Sequence, residues 1–366
     1  MRKKLFIIVA ILTVILSGCS NIKENDASEQ VQQPNLSNEE KNQDAEPEKP
    51  NESEPKDNET KDPIAEIDLS LEPNELGEIM ILMYHGIGDE ESVWQRTPDN
   101  FRKDLEYMYQ NKYQMISLND YAKGEINTKA GYTPIILTFD DGRQNNFNFI
   151  EKDGKLIIDP NCAVGILEEF KAKYPDFDVT VSFFLNFNPF GQPEYVKEKL
   201  EWLIENGYDI GNHTYSHLEM ATLNGDDIQA EIGSINNMIK SCLPNYEVET
   251  LALPHGSNPK EEFINDMLEG EYEGNKYKTI ATLDVGWRPA YSPFDTLADF
   301  TSLYRVTASE IDVQNCGIYD YFKSFENNTR ERFISDGNPD VVTIPKRHEE
   351  YLNKDMIKDK LINIYE

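Results

Sequence analysis

The stretch that decides the fold is ILTFDDGRQNN, residues 136–146. Apolar and β-branched residues run directly into two adjacent aspartates, Asp140 and Asp141, and then into a glycine. This pattern predicts a buried strand that ends in a turn. Two carboxylates side by side at a strand end repel each other. Their presence therefore suggests that a cation lies nearby or that the carboxylates take part in a reaction.

The same pattern recurs along the chain and predicts the fold class. Apolar runs that end in turn residues are EIMILMYHG, TPIILTFDDG, DVTVSFFLN, GYDIGNHT, VETLALPHG and YKTIATLDVG. Segments with helical spacing separate them, for example Ile228, Ile232, Ile235 and Ile239 on one predicted face. Strands that alternate with helices indicate a parallel sheet covered by helices. We therefore expect an α/β fold, a distorted (β/α) barrel, over residues 76–366.

In such folds the functional site lies at the carboxyl ends of the strands. Four of the five histidines lie at or just past a predicted strand end. The polar and turn residues expected to converge there are Tyr84, His85, Asp140, Asp141, Asn186, Asn212, His213, His217, Pro254 and His255.

His213 and His217 lie in NHTYSHLEM, four residues apart. On one helical turn, this spacing would point both imidazoles at one place. With a carboxylate from a neighbouring strand, they predict a two-His, one-Asp metal site with open coordination positions, which is typical of catalytic centres. Such a pair by itself is more often a surface or helix-stabilising pair, and only the preceding strand together with FDDG favours the metal site.

The combination of TFDDG with HTxxH in an alternating strand–helix chain resembles the polysaccharide deacetylase family, carbohydrate esterase family 4, also called the NodB homology domain. The resemblance covers roughly residues 78–310. It implies that Asp140 is the general base that takes a proton from a metal-bound water. It also implies that Asp141, His213 and His217 hold a divalent metal, with zinc expected and cobalt or nickel as alternatives.

The chain departs from the family pattern at two motifs. LALPHG, residues 251–256, has leucines where many members have an arginine that orients the base, and Arg305 is a candidate replacement. A late Leu-x-His motif that supplies the general acid in many members is missing. His255 is the preferred catalytic candidate for that role, and His348, a bound water or the amine itself remain open.

Substrate-binding residues are predicted at the ends of other strands: His85, Trp287, Tyr291 and Arg305. His85, in LMYHGI, is expected to line the groove, although a buried structural histidine is an equal alternative. Trp287 and Tyr291 are expected to form a platform for the acetyl methyl group or a sugar face, with core aromatic residues as the alternative.

The amino-terminal segment points to export. The basic start MRKK, an apolar run and LSGC at 16–19 resemble the signal peptide and lipobox of bacterial lipoproteins, which implies that Cys19 carries lipid. Residues 20–75 are polar and acidic, which predicts a disordered linker. The expected location is the outer face of a Gram-positive cell membrane. Cys162, Cys242 and Cys316 are expected to be buried free thiols.

The chain of 366 residues carries a formal net charge of −32, which disfavours nucleic acid and anionic lipid headgroups as direct partners. The predicted function is metal-dependent removal of N-acetyl groups from amino-sugar polysaccharide by a tethered monomer. Two alternatives stay open at this point. One is hydrolysis of O-acetyl esters on glycans, and the other is a glycan-binding lipoprotein with weak or no turnover.

Overall fold

The computed structural model describes residues 62–366. Its centre is one sheet of eight parallel strands, which we number in chain order: β1 Met80–Tyr84, β2 Tyr113–Met115, β3 Thr133–Phe139, β4 Ser182–Leu185, β5 Asp209–Asn212, β6 Thr250–Ala252, β7 Ala281–Leu283 and β8 Val306–Thr307. All six strands predicted from the apolar runs are present. The two short strands β2 and β8 lack a long apolar run and were not predicted.

The strand order is β7-β6-β5-β4-β3-β1-β8, with β2 beside the first half of β3. A parallel bridge between Leu283 and Leu303 connects the β7 edge to the segment that leads into β8. Two backbone hydrogen bonds, from Leu303 N to the Thr282 oxygen and from Asp284 N to the Leu303 oxygen, support this bridge. The sheet therefore curls into a distorted barrel, and the predicted α/β fold class is confirmed.

Within residues 62–366 the helices are α1 Pro98–Gln110, α2 Leu118–Lys123, α3 Ala163–Lys173, α4 Val196–Glu205, α5 Gly225–Cys242, α6 Ile264–Leu268, α7 Ile318–Glu326 and α8 Lys354–Ile357. Local sequence explains their limits. Thr97 caps α1 by accepting a hydrogen bond from the Asn100 amide, and Pro98 follows at the first helical position. On α5 the four predicted isoleucines are all buried.

Smaller elements lie outside the eight-stranded sheet. Pairs of short strands are Gly86–Ile87 with Gln95–Arg96, Phe149–Lys152 with Lys155–Ile158, Glu269–Tyr272 with Asn275–Lys278, and Val341–Pro345 with Leu361–Tyr365. Short 3-10 helices are Leu69–Leu71, Pro189–Gly191, Pro193–Tyr195, Met220–Thr222, Pro254–Gly256, Glu261–Phe263 and Lys346–Tyr351. The second and third strand pairs are antiparallel hairpins.

Strand β3 lies in the middle of the sheet and explains why the opening stretch decides the fold. All seven of its residues are buried, because neighbouring strands flank it and a different hydrophobic cluster covers each of its faces. Its register pairs Tyr84 with Phe139, so the residues that follow each strand, His85 and Asp140, emerge at the same level. The site is therefore placed by the sheet register itself.

The folded part begins earlier than the predicted boundary at residue 76. Asn74 and Glu75 are buried, and the Glu75 carboxylate accepts hydrogen bonds from the backbone amides of Asp336 and Thr343. Residues 1–61, with Cys19 and most of the predicted linker, lie outside the described residues. Of the described cysteines, all free, Cys162 is buried as expected, whereas Cys242 and Cys316 are partly exposed. Across residues 62–366, every helix is too short or too polar to span a lipid bilayer.

Candidate active site

A cleft of about 390 Å³ opens at the carboxyl ends of the strands. The turns after β1, β3, β5, β6 and β7 supply most of its wall. The residues that line it are His85, Trp94, Asp140, Asp141, Arg143, His213, His217, Leu253, His255 and Val285. The structure thus brings together the predicted catalytic and metal-binding residues and one of the predicted substrate-binding residues, His85.

Asp140 is buried at the base of the cleft and is held by Arg305. The two guanidinium nitrogens Nη1 and Nη2 donate to Oδ1 and Oδ2 of Asp140, each at 2.7 Å. Arg305 is itself fully buried, and its other donors reach the Asp284 carbonyl at 2.8 Å and the Thr138 hydroxyl at 3.2 Å. This two-point pairing fixes the plane of the Asp140 carboxylate.

The pairing also sets the charge of Asp140. Burial is the largest single influence and raises the pKa of Asp140, but the charges of Arg305 and His213 and the hydrogen bonds from Arg305 together lower it by more. The net effect lowers the pKa of Asp140 to about 2. At physiological pH the side chain is therefore a carboxylate, which accepts protons.

Asp141 faces a different set of partners. Its Oδ1 lies 3.5 Å from Nε2 of His213 and 3.5 Å from Nε2 of His217. Its Oδ2 accepts from Nε and Nη2 of Arg143 at 2.9 and 2.7 Å. Burial raises the pKa of Asp141, but His213 and the other neighbouring groups lower it well below its usual range. The two adjacent carboxylates therefore each have their own arginine, which offsets their mutual repulsion.

The histidine pair is carried by a loop, not by the helical turn that the spacing suggested. Thr214 and His217 both have positive φ angles, 61° and 55°. The Asn212 side chain accepts from the Thr214 amide at 2.8 Å, and this local hydrogen bond favours a turn over a helix. The two imidazoles still converge, with ring centroids 4.8 Å apart.

Asp141, His213 and His217 fit a divalent metal. Nδ1 of His213 lies 2.8 Å from the Ala252 carbonyl oxygen, so this nitrogen donates and Nε2 keeps its lone pair for a ligand. The three ligand atoms lie within 4.8 Å of one another, and among the described residues no other group of His, Cys, Asp or Glu does so. Tetrahedral ligands about 2 Å from zinc are separated by roughly 3.4 Å, close to the two measured separations.

The two remaining cleft histidines differ in environment. His85 is mostly buried, and its Nε2 lies 4.0 Å from Oδ2 of Asp140. Burial lowers the pKa of His85 to about 4, so the ring is neutral at physiological pH. His255, the predicted catalytic histidine, is exposed on the rim, with its ring 4.6 Å from that of His217.

Three of the residues predicted to bind substrate are not positioned as expected. Arg305 lies against Asp140, as predicted for the arginine that orients the base, but it does not face substrate because it is fully buried. Tyr291 lies at the amino end of the strands, opposite the cleft. Its neighbour Ala290 forms a backbone β-bridge with Ile79, which directly precedes β1. Trp287 is largely exposed but does not line the cleft.

The open alternative His348 also lies away from the cleft. Its Nε2 is 2.6 Å from Oε2 of Glu331, on a 3-10 helix after residue 345. Glu331 directly precedes Arg332. The backbone of Arg332 forms an isolated β-bridge with Glu78, which lies just before β1 at the amino end of the barrel. Among the described residues, no contact places His348 near Asp140 or the metal ligands.

Sequence reasoning missed four residues of the cleft wall. Trp94 packs its ring 4.8 Å from the His85 ring, and Arg143 holds Asp141. Leu253 and Val285 add apolar surface. The sequence could have indicated Arg143, because it directly follows the FDDG turn. It offers no such indication for Trp94, which lies in a loop without any motif.

Comparison with known proteins identifies this region. Residues 127–272 match the family model for polysaccharide deacetylase. Over these 146 of its 366 residues, the chain is similar to polysaccharide deacetylases. The matched stretch includes Asp140, Asp141, His213, His217 and His255. It excludes His85 and Arg305, the two side chains that approach Asp140 from other strands.

The chain is also 28% identical over 188 residues to the "uncharacterized 30.6 kDa protein in fumA 3'region" of Geobacillus stearothermophilus. This alignment spans 50% of the present chain and 58% of that relative. Among solved structures, the Streptococcus pyogenes deacetylase PplD is 17% identical, with a TM-score of 0.47 over 62% of this chain and 91% of that one. The Bacillus cereus polysaccharide deacetylase BC0361 is 15% identical, with a TM-score of 0.48 over 68% of each chain.

The Arg305–Asp140 pair generates a test by a double-mutant cycle. Arg305→Met leaves the Asp140 charge buried without its partner, so we expect a loss of about 3–5 kcal/mol in the free energy of unfolding. Adding Asp140→Asn removes that charge, and the double variant should lose less than the sum of the two single variants. Urea unfolding followed by circular dichroism measures all four proteins.

Arg330→Met is the matched control, because Arg330 pairs with Glu78 at a partly exposed position. Its loss should be at most about 1 kcal/mol. Additive effects of Arg305→Met and Asp140→Asn would show that the two side chains are not coupled and would contradict the assigned pairing.

Proposed function

We propose that this protein is a metal-dependent deacetylase that removes N-acetyl groups from amino-sugar polysaccharide. The observation that carries the proposal is a buried, arginine-paired carboxylate, Asp140, beside a two-His, one-Asp group that fits a metal. The family match over residues 127–272 supports the same reaction class.

The cleft has the size and character that an N-acetyl group requires. Its volume of about 390 Å³ lies in the range of small-molecule sites. Trp94, Leu253 and Val285 supply apolar wall next to the charged residues. A methyl group against that wall would leave the amide carbonyl directed at Asp141, His213 and His217.

A divalent metal bound by Asp141, His213 and His217 would polarise the amide carbonyl and make water more acidic. Asp140 accepts one proton as the water oxygen forms a bond to the carbonyl carbon. Arg305 keeps Asp140 ionised and oriented before this step. The carbon–nitrogen bond then breaks, the nitrogen receives that proton, and acetic acid and a free amine leave, after which the acid gives its proton to the amine to form acetate and an ammonium group.

The proton must travel from Asp140 to the leaving nitrogen, and we propose that His85 carries it. His85 is the cleft imidazole outside the metal group with a nitrogen facing Asp140, at 4.0 Å. Its Nδ1 is buried and has no hydrogen-bond partner among the described residues, so no fixed contact holds one tautomer. A neutral ring in that position accepts a proton and releases it again.

The proposed location is the outer face of the cell membrane, through lipid on Cys19. This proposal is supported by the order of the basic start, the apolar run and LSGC in residues 1–19. A lipid anchor followed by a long polar segment would let the domain reach polysaccharide in the cell wall.

The first test measures acetate released from N-acetylglucosamine oligomers by the full chain in detergent. Metal-stripped protein should be inactive, and added zinc or cobalt should restore release. Asp140→Asn should lower the rate by about 10²–10⁴-fold because the proton acceptor is lost. Asp176→Asn, at an exposed aspartate outside the cleft, is the matched control and should keep full activity.

Metal-loaded protein that releases no acetate from any N-acetylated glycan would overturn this function. Acetate released from O-acetylated xylan in that case would indicate an esterase on the same residues. Binding of glycan without release from either substrate would indicate a binding protein.

The second test separates His85 from His255. His85→Gln should lower kcat by about 10²-fold or more, since the proton carrier is removed. His255→Gln should change kcat by less than His85→Gln, because the ring is exposed and lies beside His217, away from Asp140. Zinc content measured by atomic absorption should stay the same in both variants. A larger loss of kcat in His255→Gln than in His85→Gln would assign the proton transfer to His255.

The third test concerns the anchor. Cys19→Ser should move the protein from the membrane fraction to the soluble fraction and abolish incorporation of labelled fatty acid. Cys316→Ser, at a partly exposed thiol of the folded domain, is the control and should leave both unchanged. Labelled fatty acid retained in Cys19→Ser would contradict a lipid anchor at this residue.

A further inference from the structure

One strand of the described domain has an apolar edge without a backbone partner. The parallel strands Val341–Pro345 and Leu361–Tyr365 form a sheet of only two strands. We call the second of them, Leu361–Tyr365, the edge strand. Its side chains Leu361, Ile362 and Ile364 are 43%, 38% and 38% exposed. An exposed apolar edge of this kind is a template for pairing with another strand.

The other edge of the two-stranded sheet is already occupied. The Glu75 amide donates to the Thr343 carbonyl oxygen at 3.0 Å, and the Thr343 amide donates to the Glu75 carboxylate at 3.1 Å. Within residues 62–366, no backbone hydrogen bond reaches the edge strand from the side opposite Val341–Pro345. The sheet can therefore grow only at the edge strand.

The register decides which backbone groups of the edge strand are free. The Leu361 amide donates to the carbonyl oxygen of Asp340, which directly precedes the neighbouring strand, at 2.8 Å. Alternate residues of a strand bond to the same neighbour, so the odd-numbered residues of the edge strand turn their backbone groups inward. Ile362 and Ile364 therefore turn their amide and carbonyl groups outward.

Charged side chains protect comparable edges elsewhere in the domain. The hairpin of Phe149–Lys152 with Lys155–Ile158 contains three charged residues, and that of Glu269–Tyr272 with Asn275–Lys278 contains four. The edge strand, LINIY, contains neither a charge nor a proline. Because charges and prolines keep strands from joining edge to edge, their absence favours pairing here.

The edge strand is complementary to a second copy of itself. An antiparallel pair centred on Asn363 places Ile362 opposite Ile364 of the second copy, and the reverse. Both residues offer outward backbone groups, so each of the two pairs exchanges two hydrogen bonds and brings its side chains together. The same centre places Lys360 opposite Glu366 of the second copy, so that opposite charges meet at both ends.

This edge lies far from the chemistry. Tyr365 lines a cavity together with Lys112 and Tyr113, at the start of β2, and its hydroxyl donates to the Pro73 carbonyl oxygen at 3.0 Å. The edge strand is thus at the amino end of the barrel, whereas the cleft opens at the carboxyl ends of the strands. Pairing leaves the cleft of each copy open and adds no residue to it.

We propose that two copies of this protein pair along Leu361–Tyr365, antiparallel and about a two-fold axis at Asn363, to form one four-stranded sheet. Such a contact is isologous, so it closes on itself and stops at a dimer. The proposal departs from the monomer expected from the sequence, and it is independent of the proposed deacetylase function. Five residues on each side make a small interface, so the dimer is a transient one in solution.

The first test traps the dimer as a disulfide in the full chain in detergent. At the two-fold centre the two Cα atoms of Asn363 form a non-hydrogen-bonded pair about 4.5 Å apart, which is within disulfide range. Asn363→Cys should form a covalent dimer about tenfold faster than wild type or more, because pairing raises the effective thiol concentration of a micromolar protein to the millimolar range. Non-reducing gels follow the reaction.

Leu361→Cys is the matched control for this trapping. In the proposed register the two copies of residue 361 lie about 14 Å apart along the strands, too far for a disulfide. Leu361→Cys should therefore react no faster than wild type. Equal rates at the two positions, or a rate for Asn363→Cys no higher than that of wild type, would overturn the proposal.

A second variant tests the apolar contact. Ile362→Lys, added to Asn363→Cys, should return trapping to the wild-type rate, because it places a charge against Ile364 of the second copy. Ile311→Lys is the control, since Ile311 is a similarly exposed isoleucine outside the strands. It should leave trapping unchanged. Matching circular dichroism spectra exclude misfolding, and trapping that persists in Ile362→Lys rejects this contact.

The charged ends test the register. Lys360→Glu should slow the trapping of Asn363→Cys by roughly 2–30-fold, because like charges then lie opposite each other at both ends. Adding Glu366→Lys should restore the rate, since opposite charges meet again. Trapping that ignores Lys360→Glu, or a double change that does not restore it, rejects the antiparallel register.

A final measurement separates a second copy from a lipid surface as the occupant of the edge. Cys19→Ser protein, which lacks the proposed anchor, is sedimented with phosphatidylcholine vesicles, with and without Ile362→Lys. The proposal expects no sedimentation of either protein. Sedimentation that Ile362→Lys abolishes would assign the apolar edge to lipid and would overturn the proposal.

Discussion

The structure depends on one buried ion pair, between Arg305 and Asp140. Asp140 directly follows the central strand β3 inside the barrel, where burial by itself raises its pKa and favours the neutral form. Arg305 offsets that cost with two short hydrogen bonds, and the Asp284 carbonyl and the Thr138 hydroxyl satisfy more of its own donors. Because Arg305 directly precedes β8, the same contact joins the last strand to the middle of the sheet. The contact that keeps the proposed base ionised therefore also ties the last strand to the centre of the sheet.

The two adjacent carboxylates are compatible because the fold separates their partners. Asp140 points into the barrel towards Arg305, whereas Asp141 has a positive φ of 74° and turns its carboxylate towards the two histidines and Arg143. A left-handed conformation at a non-glycine residue costs free energy, and such strain is common where function requires a particular side-chain direction. One of the two carboxylates is thus placed for the proposed proton transfer and the other for the proposed metal binding, although they follow each other in the chain.

Much of the fold was predictable because its signals are local. Apolar runs that end in turn residues gave six of the eight strands, and helical spacing gave α5, whose buried isoleucines match the predicted face. The metal group was predictable because two of its ligands lie in one short motif. The same reasoning failed for the conformation of that motif, since the Asn212 side chain turns the backbone at Thr214. It also failed for Tyr291, because the chain after β7 crosses to the amino end of the strands. No local sequence pattern predicts that crossing.

By itself, the sequence determined the alternation of strands and helices, the buried centre of the sheet and the residue types at the strand ends. These follow from periodicity and turn chemistry, which act over a few residues. The tertiary structure decided which side chains meet. Arg305 reaches Asp140 across 165 residues of sequence, and Trp94 and His85 meet because the Gln95–Arg96 strand pairs with Gly86–Ile87 just after β1. Such contacts depend on strand order, register and barrel closure, so the partners of Asp140 became visible only once the sheet had curled.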